Sequence, residues 1–182
     1  MLKVAFVGGN AGTWSVDSIK AVAGDGLPAV SRLAVLEAAD RFMELGGEWV
    51  LRGETSFERY VTSQEHTALE AASPPLGRAS SSAAALIPIR KSDAWWAKPQ
   101  EERRAIFEER SHHISRSLPY LPRVARRLHH SRELGEPFDF LTWFEFSPRD
   151  SAAFDELLAA LRSTEEWSYV VREVEIRLTR AG

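Results

Sequence analysis

The strongest strand signal in the chain is FDFLTWFEF, residues 138–146, an aromatic-rich stretch with the length of a buried β-strand. After it, residues 150–163 carry apolar side chains at helical spacing, which predicts an amphipathic helix. The positions on its apolar face are Phe154, Leu157, Leu158 and Leu161. Residues 169–178 alternate between apolar and polar side chains and predict a closing strand.

The residues before this stretch supply the rest of the pattern. The predicted elements are a strand at 83–89, a long helix over 93–117 that begins at Ser92 or Asp93, a short helix over 119–125 and a strand at 124–131. Residues 83–178 therefore follow the order strand–helix–strand–strand–helix–strand, which is the ferredoxin-like order.

The first 82 residues are expected to form a second unit of the same kind. The predicted elements are strands at 2–8, 14–22 and 48–52, a helix over 31–45 that stops at Gly46-Gly47, and a helix over about 63–72 with the capping box Thr62-Ser63-Gln64-Glu65. A linker rich in Pro, Gly and Ser follows at 73–82. We therefore predict an α+β protein with a duplicated ferredoxin-like fold of the dimeric α/β-barrel type, divided into an N-terminal half 1–78 and a C-terminal half 79–182.

Composition excludes several classes of function. The 182 residues include 23 basic and 26 acidic side chains, so no basic excess exists to neutralise the phosphates of a nucleic acid. Cysteine is absent, which excludes disulfides, thiolate metal sites and a thiol nucleophile. The N-terminus does not resemble a secretory signal, and no apolar run approaches the roughly 20 residues of a membrane span. We expect a cytoplasmic protein with no membrane or nucleic-acid partner.

Two histidine pairs and one glutamate pair are candidate functional groups. His112-His113 falls late in the predicted long helix, where neighbouring side chains point about 100° apart, so one imidazole could face a cavity while the other faces solvent. His129-His130 falls in a basic segment that we expect at the surface. Glu165-Glu166 precedes Trp167, where one carboxylate could be buried beneath an aromatic ring. A buried carboxylate needs a partner, and an imidazole N–H would serve.

Six motifs extend these observations: IPIRKSDAWW at 87–96, EERRAIFE at 101–108, SHHI at 111–114, LPYLP at 118–122, GEPFDFLTWFE at 135–145 and TEEW at 164–167. Together they resemble the chlorite dismutase family, specifically its short, cytoplasmic, dimeric branch. The resemblance is close over residues 83–180 and looser over residues 1–82. It implies a homodimer that holds one haem b per subunit in its C-terminal half. It also implies conversion of chlorite to chloride and dioxygen through a ferryl intermediate and transient hypochlorite.

The resemblance also assigns roles to individual residues. His113 matches the axial ligand of the haem iron, Glu166 the carboxylate that accepts its imidazole N–H, and Arg126 the catalytic distal arginine. The expected haem-propionate partners are Lys91 and, less closely matched, Arg90, Trp96 and Tyr60. The expected lining of the distal pocket is Leu128, Thr142 and Phe144.

Elementary chemistry is consistent with these roles. A carboxylate on the second ring nitrogen fixes the histidine tautomer and raises its basicity, and a guanidinium is a permanent cation with several donors for an oxyanion. Short relatives can carry Gln near the position of Ser73, so we expect the distal arginine to be held less firmly and hypochlorite to escape more readily.

Two other functions remain open from the sequence. A coproheme decarboxylase resembles the same fold but lacks the distal arginine that Arg126 matches. A non-catalytic haem sensor or carrier would use the same pocket, and the residues alone do not separate it from an enzyme.

Overall fold

Eight antiparallel strands close into one barrel in the computed structural model, which describes residues 1–37, 42–55 and 59–182. The strands are β1 Lys3–Gly9, β2 Trp14–Ala23, β3 Arg32–Glu37, β4 Trp49–Glu54, β5 Ala83–Lys91, β6 Val124–His130, β7 Phe140–Phe146 and β8 Val170–Arg180. Their order around the barrel is β1-β3-β2-β8-β5-β7-β6-β4, so both parts of the chain contribute to a single sheet. With the helices described next, this is a mixed α/β fold, which confirms the predicted combination of helices and strands.

The helices lie mostly in the C-terminal part of the chain. They are α1 Ser63–Ala72, α2 Asp93–Trp96, α3 Gln100–Arg104, a π-helix at Ala105–Arg110, α4 His113–Ser117 and α5 Ser151–Arg162. Single 3₁₀ turns cover Arg132–Leu134, Pro148–Asp150 and Glu166–Tyr169. From β5 to β8 the order is strand, helices, strand, strand, helix, strand, as the sequence predicts for residues 83–178.

Side chains of the sheet alternate between the barrel interior and the outer face. On β5, Ala84 and Leu86 join the apolar cluster that fills the barrel, whereas Ala85, Ile87 and Ile89 join a second cluster with α5. The outer face of β5, β7 and β6 is thereby free to meet helices, and the candidate site forms there.

The predicted single helix over residues 93–117 is wrong. The chain is extended at Pro99 (φ −55°, ψ 154°), which separates α2 from α3. It is interrupted again at His112, whose left-handed backbone (φ 55°, ψ 39°) ends the π-helix and redirects the chain into α4. The short helix predicted over 119–125 is also wrong: these residues form turns until Val124, which pairs with Phe146 and begins β6.

The predicted helix over residues 31–45 is wrong at its start. Residues 32–37 form β3, which pairs with β1 through six residue pairs from Val4↔Glu37 to Gly9↔Arg32. Leu33 is fully buried, so tertiary pairing outweighs the helical spacing of the apolar residues. Residues 38–41 lie outside the described part of the chain.

The capping box is confirmed. The Thr62 hydroxyl accepts the backbone N–H of Glu65, and the Glu65 carboxylate accepts the backbone N–H of Thr62, so α1 begins where the sequence predicts. Within residues 1–37, 42–55 and 59–182, no helix has the length and apolarity needed to cross a bilayer.

Candidate functional site

A large cavity lies between the outer face of β5, β7 and β6 and the helices that cover it. It encloses about 1070 Å³, its open mouth included. Apolar side chains from α1, α4 and α5 form much of its lining: Leu69, Ile114, Leu157, Leu158 and Leu161. A concave, mostly apolar cavity with a few polar groups is typical of a site for a small molecule or cofactor.

One wall of the cavity is built from facing positions on β6 and β7. The register pairs Arg126 with Phe144, Leu128 with Thr142, and His130 with Phe140. All six side chains line the cavity, because alternate residues on each strand share one face. The sequence-predicted residues Arg126, Leu128, Thr142 and Phe144 therefore come together on this wall, with Arg126 as its cation.

The break at His112 determines how His113 enters the cavity. His113 is the first residue of α4 and lines the cavity, whereas His112 precedes the helix and is exposed. The ring of Phe107, from the π-helix, lies nearly parallel to the His113 ring, with centroids 4.5 Å apart. The two histidines thus have different environments, because the backbone turns between them.

A buried chain of hydrogen bonds joins His113 to Glu166 and Lys91. The Nδ1 atom of His113 lies 2.7 Å from Oε2 of Glu166, and the Lys91 ammonium donates to Oε1 of Glu166 at 2.7 Å. The backbone N–H of Glu166 donates to the Ser111 hydroxyl at 2.9 Å. Glu166 and Lys91 are 3% and 4% exposed, so this carboxylate and ammonium satisfy each other inside the protein.

The charges in this chain are strongly coupled. Burial by itself would raise the pKa of Glu166, but the Lys91 ammonium and the hydrogen bond from His113 outweigh it and lower the pKa to about 2. Burial lowers the pKa of Lys91, against the opposing effect of Glu166. Glu166 is therefore an anion at neutral pH, and its carboxylate holds the proton of His113 on Nδ1.

The other ring nitrogen of His113 is available to a ligand. Among the described residues, Nε2 of His113 has no hydrogen-bond partner, and the side chain is 26% exposed in a cavity lined by apolar groups. An imidazole fixed through Nδ1, with Nε2 open to a cavity, has the arrangement that proteins use to bind a metal centre.

The residues expected at the propionate end lie in different places. Lys91 lines the cavity, but its ammonium is bonded to Glu166 and lies 3.5 Å from the centroid of the Trp95 ring. Arg90 is exposed and is not among the lining residues. The indole N–H of Trp96 donates to Asp139 at 3.0 Å. For these three residues the geometry does not favour a propionate contact.

Tyr60 is the fourth residue expected at the propionate end, and its role there stays a prediction. It lines the cavity with a left-handed backbone (φ 64°), and among the described residues its buried hydroxyl has no hydrogen-bond partner. Burial raises the pKa of Tyr60, so the hydroxyl stays protonated at neutral pH and can donate a hydrogen bond to an anion.

Comparison with known proteins identifies the family. A family model described as chlorite dismutase matches residues 28–181. The chain belongs to the chlorite dismutase family. A chlorite dismutase of Ideonella dechloratans is 37% identical over 87 residues, which are 48% of this chain and 28% of that protein. The chain thus matches little more than a quarter of the length of that curated relative.

Solved structures from the family are also similar. The dimeric chlorite dismutase of Nitrobacter winogradskyi is 52% identical, with a TM-score of 0.92 and coverage of 98% of this chain and 99% of that one. The chlorite dismutase of Candidatus Nitrospira defluvii, solved in complex with imidazole, is 28% identical, with a TM-score of 0.60 and coverage of 82% and 56%.

Several residues of this family member were misjudged or missed from the sequence. The pair His129-His130 was expected at the surface, but both are buried (1% and 5% exposed), and His130 lines the cavity. Burial lowers the pKa of each imidazole to about 4. The missed signal is alternation: His130 lies two and four residues after Leu128 and Arg126, on the same strand face.

The residue Ser73, expected near the distal arginine, caps the C-terminus of α1. Its backbone N–H donates to the carbonyl of Leu69, and it is not among the lining residues. Its predicted effect on Arg126 stays a prediction. Phe107 and Trp167, whose rings lie nearly parallel to His113, were not predicted as a pair because they are 60 residues apart in sequence.

Proposed function

We propose that this protein holds one haem b per subunit in the cavity and converts chlorite to chloride and dioxygen. The observation that carries the proposal is the bonding of His113 to the buried Glu166 in the same apolar cavity that Arg126 lines. Membership of the chlorite dismutase family supports the same activity. Duplicated ferredoxin-like halves, 1–78 and 79–182, with the haem in the second, remain part of the proposal.

The residues present fit a haem. An apolar cavity suits the porphyrin, Nε2 of His113 is open to a metal, and Tyr60 offers a buried, unpartnered hydroxyl to a carboxylate, as judged among the described residues. His113 would be the axial ligand. When bound, the haem iron would supply an open coordination position at which chlorite can give up an oxygen atom.

Glu166 and Lys91 would set the electronic character of His113. Because Glu166 remains ionised, it draws the Nδ1 proton toward itself and gives the imidazole part of the character of an imidazolate. The Lys91 ammonium neutralises the buried carboxylate and holds it in place. Lys91 would thus act behind the histidine, in place of the propionate contact expected from the resemblance.

The positive charge of Arg126 would bind chlorite, which is an anion. Its guanidinium stays charged at all relevant pH values and offers several donors to the oxygens of chlorite. The neighbouring side chains on the wall, Leu128 and Phe144, exclude water and strengthen this attraction. The same cation would hold the hypochlorite anion in the cavity, so that its oxygen could join the oxygen already given up, forming the O–O bond of dioxygen while the last Cl–O bond breaks and chloride leaves.

The decisive experiment measures oxygen released from chlorite by the haem-loaded protein and by an equal concentration of free haemin. The proposal predicts one dioxygen per chlorite from the protein, at a rate far above that of haemin. Arg126→Ala should retain haem but lose about tenfold or more in rate, because a hydrogen bond to a charged group contributes roughly 1.5–3 kcal/mol.

The neighbouring arginine provides a matched control. Arg127 lies on the opposite face of β6 and pairs with Glu37, so Arg127→Ala should leave the rate close to that of wild type. Haem uptake without oxygen release above the haemin level would contradict the enzymatic proposal and favour a haem carrier or sensor. A coproheme decarboxylase is disfavoured by Arg126 on the cavity wall.

We also propose that the protein is a homodimer with chlorite as its small anionic substrate. The similar protein of Nitrobacter winogradskyi is described as dimeric, and the two chains correspond over nearly their whole lengths. A cytoplasmic location remains an expectation from the sequence.

A further inference from the structure

Trp167 is an aromatic wall of the site to which neither the resemblance nor the proposed mechanism gives a role. Its ring lies nearly parallel to that of His113, at an interplanar angle of 24° and a centroid separation of 6.3 Å. It also lines the cavity and directly follows Glu166 in the 3₁₀ turn Glu166–Tyr169. A displacement of Trp167 would therefore disturb both the wall beside His113 and the turn that carries its carboxylate partner.

Glu173 holds the indole of Trp167 in place. Oε2 of Glu173 accepts the Trp167 N–H at 2.8 Å, while Oε1 accepts Nε and Nη2 of Arg162 at 2.8 and 2.6 Å. Glu173 is 1% exposed, so each oxygen of a fully buried carboxylate has a defined donor. A buried carboxylate is stable only where donors or cations compensate its charge. Here the indole N–H of Trp167 is one of these donors.

A ladder of ion pairs connects Glu173 to the protein surface. Arg162 also donates to Glu175 at 2.8 Å, and Glu175 accepts from Arg177, which reaches the exposed Asp155. The ladder joins α5, which packs against the sheet, to β8, which is a strand of the barrel. Trp167 is thus fixed to the rigid part of the fold by a charged group that does not touch the cavity.

We propose that Glu173 is a positioning residue for the haem ligand, which acts by fixing Trp167 and the turn that carries Glu166. The inference rests on the proposed function, because it requires that His113 bind iron. Glu173 does not itself line the cavity, and among the described residues it has no hydrogen bond to His113, so its effect on His113 would pass through its bond to Trp167.

The test uses the full-length protein and measures the haemin dissociation constant from the Soret absorbance. Glu173→Leu removes the acceptor of the indole N–H and should raise the dissociation constant by about tenfold, as other losses near metal ligands do. Glu173→Gln keeps one oxygen that can accept the indole N–H, so it should raise the dissociation constant less than Glu173→Leu does. Glu175→Gln is the matched control: it alters the same ladder without contact to Trp167 and should leave haemin affinity unchanged.

Trp167→Phe separates positioning from general destabilisation and remains informative if Glu173→Leu folds poorly. It retains an aromatic ring but has no N–H, so it should weaken haemin binding by a similar factor. In the double variant Glu173→Leu, Trp167→Phe, the two losses of haemin affinity should not add, because both substitutions remove the same hydrogen bond. The iron reduction potential of each variant provides a second readout that a purely structural role would leave unchanged.

The outcomes distinguish the inference from the proposed function. Equal haemin affinity in Glu173→Leu and wild type, or fully additive effects with Trp167→Phe, would overturn the role of Glu173 even if the wild type releases oxygen from chlorite. The predicted affinity pattern in a protein that releases no oxygen would support the role of Glu173 and contradict the proposed reaction. A wild type that takes up no haemin would overturn both.

Discussion

At the residue scale, the two adjacent histidines should respond oppositely to substitution. His113→Ala removes the only ring bonded to Glu166 among the described residues, so we expect loss of the Soret band and of turnover. His112 is exposed, so His112→Ala should retain haem. Absorption spectra of the two variants after haemin addition check this prediction, and loss of haem from His112→Ala would refute the choice of ligand.

The backbone at His112 makes a separate prediction about stability. A left-handed conformation costs a residue with a β-carbon roughly 1–2 kcal/mol, and glycine avoids most of that cost. Because no described hydrogen bond uses the His112 side chain, His112→Gly should raise the free energy of unfolding by up to about 1 kcal/mol, whereas His112→Val should lower it. Urea denaturation of the haem-free protein measures both changes, and a stabilising valine would contradict the explanation.

The carboxylate behind His113 should affect the proposed haem iron through the imidazole. Glu166→Gln removes the negative charge that draws the Nδ1 proton, so the imidazole becomes a weaker electron donor. We expect a higher reduction potential of the iron, measured by spectroelectrochemical titration. Glu165→Gln is the matched control, since Glu165 pairs with Arg110 at the surface. An unchanged potential in Glu166→Gln would exclude the role assigned to this carboxylate.

The site residues divide by what the sequence could reveal. The family resemblance suggested roles for His113, Glu166 and Arg126, and in the structure all three line one cavity. The bond between Lys91 and Glu166 was not predicted, because it joins residues 75 positions apart and depends on how β5 meets the 3₁₀ turn. Local spacing carries no information about such a contact.

At the element scale, β6 should make stability depend on pH. His129 and His130 have pKa values of about 4 in the folded protein, below the ordinary 6.5, so the unfolded chain binds more protons between these values. Stability should therefore fall as the pH is lowered from about 6.5 to about 4. Above about pH 6.5 the two histidines add no pH dependence to stability. Each histidine contributes roughly 1.4 kcal/mol per pH unit in this range.

Urea unfolding of the haem-free protein at several pH values tests this dependence. The double variant His129→Gln, His130→Gln should show a shallower decline than wild type, whatever its absolute stability. The same slope in the double variant and wild type would show that other groups control acid stability.

Element prediction failed where distant pairing or backbone breaks decide the structure. The apolar spacing of residues 31–45 indicated a helix, yet residues 32–37 pair with β1, and that partner is more than twenty residues away. The segment 93–117 was predicted as one helix despite Pro99, a residue that breaks helices, and the structure divides it at Pro99 and His112. By contrast, α1 and α5 were predicted well, because a capping box and an apolar stripe are local signals.

At the scale of the whole molecule, we expect a dimer. Its mass should be twice that of the single chain, which is 20.4 kDa. The dimeric protein of Nitrobacter winogradskyi corresponds to this chain over 98% and 99% of the two chains with a TM-score of 0.92, which supports the proposal of the same assembly here. Light scattering after size-exclusion chromatography measures the mass directly. Haem content measured on the same fractions should be one per chain, and a monomer with full haem content would contradict the proposed assembly.

The alternation along β6 separates two sets of side chains that share one backbone. Arg126, Leu128 and His130 face the cavity, whereas Arg127 and His129 border the space inside the barrel. Insertion or deletion of one residue in this strand would exchange the two sets beyond that point, so that a different cation would face the cavity. Substitutions can therefore change the cavity-facing side chains of β6 without altering those that face the inside of the barrel. A change in strand length alters both sets at once.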